Sequence, residues 1–205
     1  MKKNKLRYIL LIIIIFLLSM LGYYLYNAFK INKKAISESS INETIENYEY
    51  ILKSTDTIIY KENFQLLKEL LKTDDFDENE YVQLISKLFI IDFYTLSNKI
   101  SNTDIGGINF VYSGIIDNFK LKASNTIYKY VKSNIYGDRN QELPTVKNVL
   151  INDVKVVSYK YNDITDKDAY EVSLNIEYEK DLGYETSKAL YFVHENKKLS
   201  LVEMR

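Results

Sequence analysis

Residues 169–179, AYEVSLNIEYE, alternate without a break. Tyr170, Val172, Leu174, Ile176 and Tyr178 fall on one side, and Glu171, Ser173, Asn175, Glu177 and Glu179 on the other. Successive side chains of a strand point to opposite faces, so this stretch spells a strand with one wet face. Working outward, residues 145–162 and 185–194 read as its neighbours, joined through Asn162-Asp163 and Asp181-Leu182-Gly183. Glu195, Asn196 and Lys197 then turn the chain into a last strand at 199–204. The expectation is an antiparallel meander of about four strands, and it is the only sheet legible in the chain.

Upstream the period changes to that of a helix. Ile41, Ile45, Tyr48, Leu52, Thr55 and Ile59 recur at spacings of four and three, which predicts one apolar helical stripe. A second helical pattern runs through Phe64, Leu67, Leu70 and Leu71 to an acidic turn at 73–76. In a third, Asp77 is a plausible cap with Glu80 three residues on, and Tyr81, Leu84, Ile85, Leu88, Phe89 and Ile91 form a broad buried face. After a loop containing Gly106 and Gly107, a fourth helix is expected with Ser113 as cap, Ile116, Phe119, Ala123, Ile127 and Tyr130 inward, and Gly137 closing it. Helices first and an antiparallel sheet second is an α+β plan, in which the helices cover one face of a curved sheet.

The N-terminus carries a different signal. Residues 7–26, RYILLIIIIFLLSMLGYYLY, hold one charge, at Arg7. An uncharged run over 8–29 reaches roughly 33 Å as a helix, enough to cross a bilayer. Tyr8 at one end and Tyr23, Tyr24 and Tyr26 at the other suit the headgroup layers. A cleaved signal peptide would need small residues one and three positions before the cut; Ala28 could fill one, but Tyr26 does not fit the other, which favours an uncleaved anchor. Lys2, Lys3, Lys5 and Arg7 outweigh Lys30, Lys33 and Lys34, a modest bias toward a cytoplasmic N-terminus. The reading is a cytoplasmic tail at 1–7, a transmembrane helix at 8–29, a juxtamembrane helical stalk at 30–60 and an extracytoplasmic α+β domain at 61–205, in the cell membrane. A reversed orientation would leave that domain in the cytoplasm.

Charge and composition narrow the function classes. The first 28 residues carry four of the 27 Lys and Arg and none of the 28 Asp and Glu, so the remainder is net acidic by five. Lys and Glu are interspersed with no basic stripe, which argues against a nucleic-acid partner. There is no cysteine, which rules out disulfides and thiolate chemistry. No glycine-rich phosphate loop, nucleophile elbow or metal-ligand cluster is legible, and no cofactor is implied. Asp75, Asp77 and Asn79 sit at the first, third and fifth positions of a calcium loop, but Glu80 replaces the required glycine and Ser86 the closing glutamate, so a helix start explains them better.

Four residues are candidates for a pocket: Asp92, Tyr94, Tyr170 and His194. Asp92 lies inside the apolar run 88–96, where desolvation disfavours a carboxylate unless it is hydrogen-bonded. His194, the only histidine, shares its strand face with Phe192 and Leu190. Nineteen tyrosines, among them Tyr159, Tyr161, Tyr170, Tyr178, Tyr184 and Tyr191 on the sheet, point to protein or peptide contact.

The order of elements and the inward alternation resemble the nuclear transport factor 2-like cone fold over residues 60–205. With a short tail and one membrane helix, the layout is similar to the conjugation-scaffold subunits of type IV secretion systems. The resemblance rests on element order and carries no functional residue across; it implies a pocket between helices and sheet. The function expected is a membrane-inserted domain that contacts other envelope proteins, as a scaffold or an accessory subunit of a transfer machine, rather than an enzyme. The alternative is a cone pocket that binds or hydrolyses a small ligand, with Asp92 at its base. Self-association through Ile41, Ile45, Tyr48, Leu52 and Ile59 is a further expectation.

Overall fold

The structure is a computed structural model that describes residues 15–24, 41–73, 75–161 and 164–205. Residues 15–24 of the expected anchor are helical and exposed, while the rest of 8–29, the tail at 1–7 and stalk residues 30–40 lie outside the described residues, as do Asp74 and the turn at Asn162 and Asp163. Among the described residues no helix is long and apolar enough to cross a membrane.

The stripe expected to be a helical stalk is instead a β-hairpin. Strands β1 (Ile41–Ile45) and β2 (Tyr50–Lys53) pair antiparallel around a 3-10 turn, Glu46–Tyr48, closed by Glu49 at φ 58°. Ile41, Ile45, Tyr48, Leu52 and Ile59 therefore do not form one helical face, and the chain has a second, two-stranded sheet. The decisive residue is Tyr50. A helix with that stripe would turn Tyr50 about 200° away from Tyr48, into solvent. In the strand, Tyr50 and Leu52 are both buried, and the Tyr50 and Tyr81 hydroxyls share a 2.5 Å hydrogen bond.

Helix α1 (Ile58–Leu70) starts at Thr57, whose Oγ1 accepts from the Tyr60 N–H at 3.3 Å, and buries Tyr60, Phe64 and Leu67. Helix α2 (Glu78–Tyr94) begins at the expected cap: the Asp77 carboxylate accepts from the Asn79 N–H at 2.9 Å. Its burial reaches almost all the way round, from Tyr81 to Tyr94, which marks it as the central post of the domain. It packs on α1 and on the inner face of the large sheet.

Helix α3 (Ile116–Asn125) is shorter than expected. Ser113 does not cap it but lies in a 3-10 turn, Ser113–Ile115. Ser124 and Thr126 turn their hydroxyls back onto the Leu121 and Lys122 carbonyls, and such side-chain competition with the backbone weakens a helix end. The chain leaves the helix at Thr126, so Tyr130 is 75 % exposed and Tyr128 takes the buried place. Tyr128 donates to the Phe93 carbonyl at 2.6 Å and accepts from the Gly106 N–H at 3.1 Å.

Strands β3 (Val146–Tyr161), β4 (Ile164–Tyr178), β5 (Ser187–Glu195) and β6 (Lys198–Met204) form the expected meander in the order β3-β4-β5-β6. Tyr170, Val172, Leu174 and Ile176 point into the helical core with Leu190, Phe192, Leu199 and Leu201. The opposite face carries a smaller cluster of Ala169, Val193 and Val202 with Tyr112, Val157, Tyr159 and Tyr191. Tyr159 on β3 reaches Tyr191 two strands away, at 5.5 Å between ring centres, and donates to Glu203 of β6 at 2.6 Å. In a flat sheet β3 and β6 would lie roughly 14 Å apart. The far end of the β3–β4 hairpin must therefore bend across this face, and the register shift between Val157 and Tyr159 marks where it does so. Fold class is thus α+β, with helices on one face of an antiparallel four-stranded sheet.

Candidate functional site

Between the C-terminal half of α2, helix α3 and strand β6 lies an open cavity of about 580 Å³. Phe93, Tyr94, Phe119, Ile127, Leu201 and Met204 supply apolar wall, and Lys122, Glu185, Lys188 and Glu203 bring charge to its lining. Three of those charges are already engaged. Lys188 is ion-paired with Glu185, and Glu203 accepts from Arg205 Nε at 2.7 Å and from Tyr159. Hydrogen bonds from Arg205 and Tyr159 hold the Glu203 carboxyl below its usual range. Of the residues expected to line a pocket, Tyr94 does. Its hydroxyl points at the Met204 sulfur, 3.5 Å away, and burial pushes its pKa well up, so it is a neutral wall residue rather than a proton donor or base at ordinary pH.

Asp92 does not line this cavity. It faces the loop after α2, where it is ion-paired with Lys99 and its Oδ2 accepts from the Gly107 N–H at 2.7 Å. Lys99 is only 5 % exposed. Burial raises the Asp92 pKa, but the Lys99 ammonium and the Gly107 N–H outweigh it and hold the carboxyl below its usual range. The approach is close enough to dictate glycine beside it: a Cβ on Gly106 would lie 2.2 Å from the Asp92 carbonyl oxygen. Arg139 completes the fastening, donating from Nη1 to the Lys99 carbonyl at 2.7 Å and from Nη2 to the Ser97 carbonyl at 2.6 Å. Asp92 is a hydrogen-bonded tie between α2 and its following loop.

Tyr170 and His194 do come together, with two carboxylates that sequence reasoning had not joined to them. His194 Nδ1 lies 2.8 Å from Asp166 Oδ2, and Nε2 lies 3.1 Å from Glu78 Oε1. Tyr170 donates to the other Glu78 oxygen at 2.8 Å, and the Asp166 carboxylate also accepts from the His194 N–H at 2.7 Å. Partial burial alone would lower the His194 pKa, but Asp166 and Glu78 reverse that and raise it. Burial and the bond to Glu78 push Tyr170 up to about 12. With a carboxylate on each ring nitrogen, the charged imidazolium is the form that satisfies both, which makes the group a pin between α2, β4 and β5 rather than a general base. His194 is half-exposed although Phe192 and Leu190, on its strand face, are fully buried. The acidic start of α2 held the signal for Glu78; nothing local marked Asp166.

Among the described residues no group of three or more His, Cys, Asp or Glu side chains is placed to hold a metal ion. Comparison with known protein families, with curated proteins and with solved structures yields no match. What fold and site define together is an α+β domain with an apolar-walled, charge-trimmed cavity open beside one edge of its sheet.

Proposed function

We propose that this chain is a membrane-anchored extracytoplasmic domain that works by contact with other envelope proteins, as a scaffold or accessory subunit, and that its cavity is where a partner docks. The cavity carries the proposal. Its walls are apolar, and its volume of about 580 Å³ suits an anchoring side chain or short apolar segment inserted from a partner. The uncharged run at 8–29 supports the anchor, and the helices over one sheet face support a cone-like fold. The polar groups nearest in chemistry to a catalytic set, Tyr170 and His194, are engaged with Glu78 and Asp166 in a separate cluster.

A photo-cross-linking amino acid at Thr126, on the cavity lining, tests this in intact cells. Adducts with an envelope protein are expected from Thr126, absent from the exposed strand position Lys147 and lost when Ile127→Lys charges the wall. Equal labelling from both positions, or none, contradicts docking in the cavity. A second reading, a small apolar ligand in the same cavity, is favoured by a volume inside the ~300–1,000 Å³ range of small-molecule sites. Displacement of a bound environment-sensitive dye by candidate lipophilic compounds separates it from protein docking.

A further inference from the structure

The outer face of the sheet holds a smaller hollow of about 290 Å³, lined by Tyr112, Tyr159, Tyr161, His194, Glu195 and Asn196. The Tyr112 and Tyr161 rings meet edge to face, 5.9 Å apart at 67°. Glu195 accepts from the Ser113 N–H through both oxygens, at 3.2 and 3.4 Å; burial raises its pKa, but the Ser113 hydrogen bonds and the nearby Lys198 ammonium outweigh it and keep the carboxyl ionised. Aromatic faces next to an ionised carboxylate make a receptor for an organic cation, because ring quadrupole and carboxylate charge attract the same head group.

The neighbouring part of the same face already shows this chemistry. Arg205 lies over the Tyr191 ring, 4.7 Å from its centre, while Nε and Nη2 donate to Glu203 at 2.7 and 3.1 Å. Tyrosine stack and carboxylate fork together seat one guanidinium of the chain itself. The hollow repeats both parts a few residues away, with Tyr159 bridging the two sites through its ring contact with Tyr191. The chain outside its first 28 residues is net acidic by five, so a basic partner meets a complementary surface.

We propose that this hollow receives an arginine side chain from a partner protein, its guanidinium stacked on Tyr161 or Tyr112 and hydrogen-bonded to Glu195. Arginine is preferred over lysine because its planar fork serves ring and carboxylate at once. The hollow is large enough for the head and part of the stem, and too small for a folded element. His194, held by Asp166 and Glu78, sits at the lining with the same charge sign as the incoming group when protonated, so its two carboxylates offset the repulsion.

Full-length protein in detergent micelles, with ring-labelled tyrosines, is titrated with acetyl-Gly-Arg-Gly-amide and followed by NMR. Saturable shifts are expected at Tyr112 and Tyr161, with no response to the same peptide carrying citrulline. Glu195→Gln and Tyr161→Leu should each weaken binding, by about tenfold for loss of one attractive element. The buried Tyr50 and Tyr81 resonances report whether each variant is folded. Equal shifts from arginine and citrulline peptides, or no saturable shift in folded wild-type protein, overturn the site. Free guanidinium ion binding as tightly as the peptide would mark a small-cation site and overturn the assignment to a partner's side chain.

Discussion

Asp92 shows how a residue that reads as a pocket base can be structural. Its charge is matched by Lys99, which is almost fully buried, so the two must be kept or removed together. Asp92→Leu leaves an unpaired ammonium in the core and should cost about 3–5 kcal/mol in denaturant unfolding, whereas Asp92→Leu with Lys99→Met should recover most of it. Because the Asp92 pKa is lowered, its contribution is present above about pH 4, the unfolded value, and is lost as pH falls through the folded one. His194 has the opposite sign. Its pKa is raised, so the stability from its two carboxylates is fully present below about pH 6.5 and declines as pH rises through the folded value. His194→Gln should flatten that slope, and an NMR titration of the ring should show a midpoint above the free value; a depressed midpoint would refute the pin. The effect is small, since the imidazole is half-exposed.

The elements divide by how local their signals were. Strand β4 was legible because five apolar residues alternate with polar ones and that face is buried; α2 was legible because Asp77 precedes a broad apolar face. The hairpin at 41–53 was not legible because Ile41, Ile45, Tyr48 and Leu52 fit a helical spacing as well as they fit two strands, and no Asn-Gly or proline punctuates the turn. Glu49 does that work in the left-handed region, unusual for a residue with a side chain. Glu49→Gly should therefore raise stability by about 1 kcal/mol, seen as a higher Tm, since the exposed contact to Lys198 at 3.8 Å offers little in return. The cavity was illegible for another reason: its lining comes from α2, α3, residue 185 and strands β5 and β6, brought together only by the sheet's folding against the helices. Tyr94 alone was anticipated there, while Tyr170 and His194 meet through Glu78 and Asp166, residues 88 positions apart in the chain.

At the scale of the molecule, two sites open from different faces of one sheet: an apolar cavity beside the helices and a tyrosine-lined hollow beneath the bent hairpin. In the proposed function, a domain held at a membrane would use these two sites to hold partners at the surface. Everything in that reading depends on the domain standing outside the cell membrane. Protease added to intact cells that carry a C-terminal tag after Arg205, with an immunoblot against the tag, measures this directly. The expected result is full-length protein in the membrane fraction whose tag disappears on protease treatment; a protected tag on full-length protein, or a shortened product released to the medium, would contradict the anchored extracytoplasmic domain.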